Sequence, residues 1–155
     1  YNPHDGPTSD AAVRVHDRAL AAEVEAEIGE MAAGVFGVHK TPTANTEFTV
    51  DSTSMTFLTS PTDNVAARIE AEIATAQQSV HFLVFSMSAD AFEVALRERH
   101  ERGIDVRGVF DRIQAGRSYS SFGVLGDAGI SVRRAPHQAM MHHKLVIIDS
   151  GIFRG

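Results

Sequence analysis

Between Thr56 and Ile148, short apolar runs alternate with segments of helical period, and that order constrains the fold more than any other feature of the chain. Val80 to Phe85 is nearly all apolar and rich in β-branched and aromatic residues, which predicts a strand buried on both sides. Ahead of it, from Asp63 to Gln78, the residues Val65, Ile69, Ile73 and Ala76 recur at steps of four, four and three. Those steps trace one helix face, with Thr62 or Asp63 as N-cap. A second helix is predicted from Ala89 to Arg102, capped by Ser88, supported by the Glu93/Arg97 and Glu98/Arg102 pairs and closed by Gly103. Ile104 to Phe110 is the next strand, followed by a helix near Ser121 to Ala128 and short strands at Ile130–Arg133, His142–Ile148 and Ile152–Arg154. The order predicts an α/β domain with a mixed, largely parallel sheet and helices on both faces.

The chemistry concentrates in Met141-His142-His143-Lys144-Leu145-Val146-Ile147-Ile148-Asp149. In an extended strand His142 and Lys144 point the same way, roughly 6.5–7 Å apart along the backbone, and His143 points to the other face. One phosphate can then touch both. A neutral imidazole is a nucleophile for phosphorus, and an adjacent ammonium offsets charge on the phosphoryl oxygens. Neither residue needs a metal. The bland alternative is an ordinary buried strand with polar ends. A zinc shell of His137, His142, His143 and Asp149 is disfavoured, because neighbouring strand residues face opposite sides. Ser86 and Asp111 each follow a predicted strand, where open α/β sheets place ligand contacts, and are candidate substrate-binding residues; each is equally a candidate cap or turn former. His81 reads as a core histidine, and His4, His16, His39 and His100 as surface or cap residues.

Written as a pattern, the motif is H-x-K-x4-D, and it resembles the signature of the phospholipase D superfamily. Gly155 follows Asp149 after five residues, where the family pattern has six before its Gly-Ser-x-Asn. The resemblance extends over Thr56–Asp63, Ser79–Ser88, Gly103–Asp111 and Leu125–Val132, and so covers about residues 50–155. It implies a phospholipase D-like fold incomplete at both ends. It also implies that His142 and Lys144 are catalytic and that Asp149 is a supporting member of the catalytic set. The odd offset of Asp149 from His142 makes it orienting or structural rather than a direct proton donor. The segment Leu20 to Gly37 is similar to the tail of the first unit in two-unit bacterial members. The expected organisation is therefore a remnant of a preceding unit at 1–40, a linker at 41–48 carrying Thr41-Pro42-Thr43-Ala44-Asn45-Thr46, and a catalytic unit at 49–155 lacking its last part.

Members of this superfamily assemble one site from two such motifs, in one chain or two subunits. One histidine attacks phosphorus, the other protonates the leaving alcohol, and water or an alcohol resolves the phosphohistidine. The resemblance thus implies a phosphodiester hydrolase or transphosphatidylase with no cofactor, whose partner is a second H-x-K-x4-D unit in the same protein or a homodimer. The alternatives are a metal-independent nuclease of the same superfamily and a non-catalytic half of a two-unit protein. An apolar groove beside His142 favours lipid; a basic channel favours nucleic acid.

Composition leaves those choices open. The net charge of −6 provides no global attraction to nucleic acid or anionic membrane, and Arg112, Arg117, Arg133 and Arg134 are either a local patch or solvated surface charges. The chain has no cysteine, hence no disulfide framework or thiolate metal site. No stretch approaches the roughly 20 apolar residues of a spanning helix. The compartment stays open, a secreted or periplasmic location with its targeting region missing being the expectation.

Overall fold

A computed structural model describes residues 8–88, 91–136 and 140–149. The chain divides into two compact units: the described residues up to Ala11 together with those from Ile69 onward, and Ala12–Arg68.

The first unit contains the sheet that carries the motif. Its strands are β4 (Ser79–Val84), β5 (Asp105–Phe110), β6 (Ser131–Arg134) and β8 (Lys144–Ile148), in the spatial order β6-β5-β4-β8. β4, β5 and β6 run parallel and β8 runs antiparallel to β4, so the sheet is mixed and largely parallel, as the alternation of elements predicts. A second pairing joins β1 (Thr8–Ser9) in parallel to β7 (Met140–Met141). The strand expected at Ile152–Arg154 lies outside the described residues.

Among the described residues, three α-helices belong to this unit: α2 (Val65–Thr75), whose start crosses the division, α3 (Ala91–Glu101) and α4 (Phe122–Asp127). The helix face anticipated from Ile69, Ile73 and Ala76 is the buried one. With Leu96 of α3 and Leu125 of α4 it packs on Val80, Phe82 and Val84 of β4 and Val106 and Phe110 of β5. Gly103 sits at a φ of 83°, the left-handed turn that a glycine closing a helix allows. Arg99 of α3, buried, donates from Nη1 to the carbonyl of Ala74 at 2.7 Å and ties α3 to the end of α2.

β4 is not buried on both sides. Val80, Phe82 and Val84 are buried, whereas His81 and Leu83 are half-buried, which is the alternation of a strand with one closed face. On that second face His81 lies 3.4 Å from the Asp105 carboxylate rather than within the core.

The second unit holds α1 (Arg18–Ala32), capped by the Asp17 carboxylate that accepts from Leu20 N at 2.8 Å, and an antiparallel hairpin of β2 (Glu47–Val50) and β3 (Thr53–Thr56). Asp51 and Ser52 turn the hairpin with φ of 47° and 67°, the sign that a two-residue turn of matching twist requires. Residues 41–46, expected as linker, are tied down: Thr41 N donates to the Glu30 carboxylate and Thr43 N to Asp63 Oδ1 at 3.0 Å. Asp63 thus caps this loop and not α2, as does its bond from Thr59 N at 2.7 Å. The first division falls at 11/12 because β1 pairs within the sheet-bearing unit, and the second at 68/69.

Candidate active site

The site forms where the carboxyl end of β4 meets the start of β8. Antiparallel pairing sets Lys144 opposite Val84, and Phe85 N donates to the carbonyl of His143 at 2.8 Å, so the motif is held against the end of β4 by backbone bonds. His142 and Lys144 do share a side: Lys144 Nζ lies 2.7 Å from His142 Nε2 and donates to the His142 carbonyl at 3.0 Å. The Phe85 ring packs edge-on to the imidazole, with centroids 4.9 Å apart, and lies 5.3 Å from the Lys144 ammonium. Both motif side chains are exposed to solvent, as reacting groups must be.

An ammonium donates and never accepts, so the 2.7 Å contact requires a lone pair on Nε2. The ring is then neutral with its proton on Nδ1, the form in which Nε2 is a nucleophile. Nδ1 lies 3.3 Å from Asp10 Oδ1, a neighbour 132 residues away in sequence. His143 turns to the other side and meets Ser9 Oγ through Nε2 at 3.1 Å.

The two candidate carboxylates lie elsewhere in the architecture. Asp149 stands at the far end of β8, where its oxygens accept from Gln77 N, Gln78 N and Ser79 N at 2.8, 2.7 and 2.9 Å. It is a latch between β8 and the α2–β4 turn and does not touch His142. The Ser79 N–H, then those of Gln77 and Gln78, hold its carboxyl below the ordinary carboxylate range. Asp111, expected to bind substrate, is 3% exposed and has both oxygens engaged. Oδ1 accepts from Ile113 N and Gln114 N at 2.9 and 3.0 Å, and Oδ2 from Met141 N at 3.1 Å. Of its two candidate roles the geometry matches that of turn former: Asp111 organises the turn after β5 and anchors the residue before His142.

Ser86 lies in a cavity of about 290 Å³ beside Lys144. Ile69, Val84, Met87, Phe92 and Val146 supply an apolar wall, and Ser86, Ser88 and Lys144 the polar groups. Arg107, registered with His81, and Arg133, registered with Val109, lie on the other face of the sheet, whereas Arg134, registered with Phe110 and stacked over the Phe122 ring, shares the face of Lys144, which is registered with Val84.

A family model described as "Cardiolipin synthase, PLD-like domain" matches residues 69–154, more than half of the chain and the whole of the motif. The chain belongs to this phospholipase D-like family. The mitochondrial cardiolipin hydrolase of Xenopus tropicalis is 32% identical over 91 residues, covering 59% of this chain and 43% of the relative. That of Danio rerio is 36% identical over 84 residues, covering 54% and 37%. The chain thus spans less than half the length of these curated relatives. Among solved structures, the phospholipase D family member Nuc from Salmonella typhimurium superposes with a TM-score of 0.54 at 25% identity, over 58% of this chain and 60% of that one. NucT from Helicobacter pylori shares the fold, with a TM-score of 0.51 at 21% identity.

Within this phospholipase D-like frame, Asp10 and Phe85 are the neighbours of His142 that sequence reasoning missed. Phe85 closes an apolar run and reads as core; Asp10 lies outside the stretch matched by the family model, and only the β1–β7 pairing brings it to the site.

Proposed function

We propose that the chain supplies one half of a phospholipase D-type active site and that its substrate is a phospholipid diester. The observation that carries the reading is the 2.7 Å contact of His142 Nε2 with Lys144 Nζ in an exposed position at the end of β4. When a phosphate arrives, the ammonium is drawn to its oxygens and the Nε2 lone pair is released toward phosphorus. The N–P bond forms as the P–O bond to the leaving alcohol breaks with its electron pair. The histidine of a second H-x-K-x4-D motif, in another unit or copy, protonates that alcohol. Water or an alcohol then opens the phosphohistidine, giving hydrolysis or transfer.

The apolar cavity beside Lys144 supports lipid over nucleic acid. Its aliphatic and aromatic wall suits the alkyl part of a phospholipid; Arg107 and Arg133 lie on the opposite face, and Arg134, on the face of Lys144, is stacked over the Phe122 ring. The nuclease remains the second reading. The relatives named as cardiolipin hydrolases favour a diphosphatidylglycerol head group. The deciding experiment offers the full chain vesicles containing cardiolipin, vesicles of phosphatidylcholine alone, and a single-stranded oligonucleotide, each with wild type and His142→Ala. Cleavage of the lipid with an alkali-stable phosphohistidine that vanishes in His142→Ala is expected. Cleavage of the oligonucleotide alone would move the assignment to nuclease, and full activity of His142→Ala would reject the mechanism.

A further inference from the structure

Residues 8–10 lie against the motif with a definite register. Thr8 and Ser9 pair with Met140 and Met141, and the pairing continues one step as His142 N donates to the Ser9 carbonyl at 3.0 Å. Side chains alternate along paired strands, so Ser9 and Asp10 leave on opposite sides, as do His143 and His142. Each finds its counterpart: Ser9 Oγ is 3.1 Å from His143 Nε2, and Asp10 Oδ1 is 3.3 Å from His142 Nδ1.

We propose that Asp10 is a positioning residue for His142, its carboxylate accepting the Nδ1 proton and thereby fixing the neutral ring in the tautomer whose Nε2 lone pair faces Lys144 and an incoming phosphorus. The catalytic meaning of this assignment rests on the reading of His142 as nucleophile; the tautomer itself does not. The groups facing the imidazole are the Lys144 ammonium at Nε2, the Asp10 carboxylate at Nδ1 and the Phe85 ring at its side. With Nε2 occupied by a donor, the single ring proton belongs on Nδ1, and Asp10 is the acceptor set there. The Thr8 side chain foremost, opposed by partial desolvation and assisted by His142, holds the Asp10 carboxyl below its ordinary value, so it is an anion throughout the neutral range. As the N–P bond forms, the ring acquires positive charge while keeping its Nδ1 proton. A carboxylate at that nitrogen stabilises the ring in the transition state more than in the ground state. Residues 69–154 alone, the span of the family model, would lack this group.

The test reads ring nitrogens directly by long-range ¹H–¹⁵N NMR on the full chain at neutral pH, with His142 assigned by its loss in His142→Asn. Wild type is expected to show the Nδ1–H tautomer, Asp10→Ala a mixture in which the Nε2–H form gains population because the Lys144 contact alone then favours Nδ1–H, and Asp10→Glu a return toward wild type. Ser9→Ala, which removes the neighbouring side-chain bond and leaves Asp10 in place, should not change the His142 signal. An unchanged tautomer in Asp10→Ala, or the same change in both variants, would overturn the assignment, the latter because β1 would then act only as a strand. Turnover of bis(4-nitrophenyl) phosphate adds a second readout: kcat should fall about 10- to 100-fold in Asp10→Ala with KM unchanged. Absence of turnover in every protein including wild type would count against the proposed function, while the NMR result would still decide the role of Asp10.

Discussion

At the residue scale, the proposed mechanism divides the work between the lone pair of His142 and the fixed charge of Lys144, and their losses should differ accordingly. His142→Ala removes the nucleophile and should abolish turnover. Lys144→Ala leaves the nucleophile and removes the cation at the developing phosphoryl charge, so kcat should fall by about 10²- to 10³-fold. Both are measured on a diester substrate, with a chelator expected to change neither rate, since imidazole attack beside an ammonium uses no metal. Asp149 offers a separate test, of stability. Its folded-state value is lowered by the backbone donors of Ser79, Gln77 and Gln78. The stabilisation it provides is therefore complete above the ordinary carboxyl value and lost as pH falls through the lowered one. Asp149→Asn should lower Tm at neutral pH, and the gap to wild type should close as a thermal titration descends from about pH 6 to about pH 2.5; a gap independent of pH would remove the latch. His142 and Lys144 were legible in sequence because two residues of spacing decide a strand face without knowledge of the fold. Asp111 kept two readings in sequence because a carboxylate after a strand serves a ligand or a turn equally well. Only its three backbone partners distinguish the two. Asp10 had no local signal at all, since its meaning comes from a strand pairing across 132 residues.

At the scale of elements, the site stands on the packing behind β4 and β5. Phe82 and Phe110 meet edge-to-face with centroids 5.7 Å apart, and Phe110 meets Phe122 at 5.5 Å. Gly108, opposite Phe82 on β5, leaves the space that ring occupies: a Cβ there would stand 2.1 Å from its atoms. Gly108→Ala must displace the ring or part the strands and should cost at least about 1–3 kcal/mol, measured as a lower denaturation midpoint at unchanged slope. Helix positions were read well because Ile69, Ile73 and Ala76 repeat at the helical period. The burial of β4 was not, because a run of apolar residues looks alike whether one face or two are covered. Strand pairing decides it: His81, Leu83 and their neighbours Arg107 and Val109 form a face that the core helices of this unit do not fill. Asp111 links this layer to the motif. Asp111→Ala would leave Met141 N, Ile113 N and Gln114 N without their acceptor, for a loss of about 1–3 kcal/mol in chemical denaturation.

At the scale of the whole molecule, the question is where the second acid–base group comes from, for one imidazole cannot both attack phosphorus and protonate the departing alcohol in the same step. The 155 residues hold a single H-x-K triplet, at His142 to Lys144. If two copies of this chain share one site across a two-fold axis, each site needs an intact histidine from both. Mixing wild type with an equal amount of His142→Ala, and allowing subunits to exchange, should then reduce activity to about a quarter, the fraction of pairs with two intact motifs under random pairing in a two-fold dimer. Specific activity should also fall on dilution through the dimer dissociation range. If instead each chain works alone, the mixture retains about half and dilution has no effect, because a two-fold interface plays no part. Either source of the second group meets the same geometry: His142 and Lys144 sit exposed at the end of β4, with the apolar cavity on one side of the ammonium, so a second imidazole can reach the leaving oxygen on the side of phosphorus opposite Nε2, as in-line displacement requires.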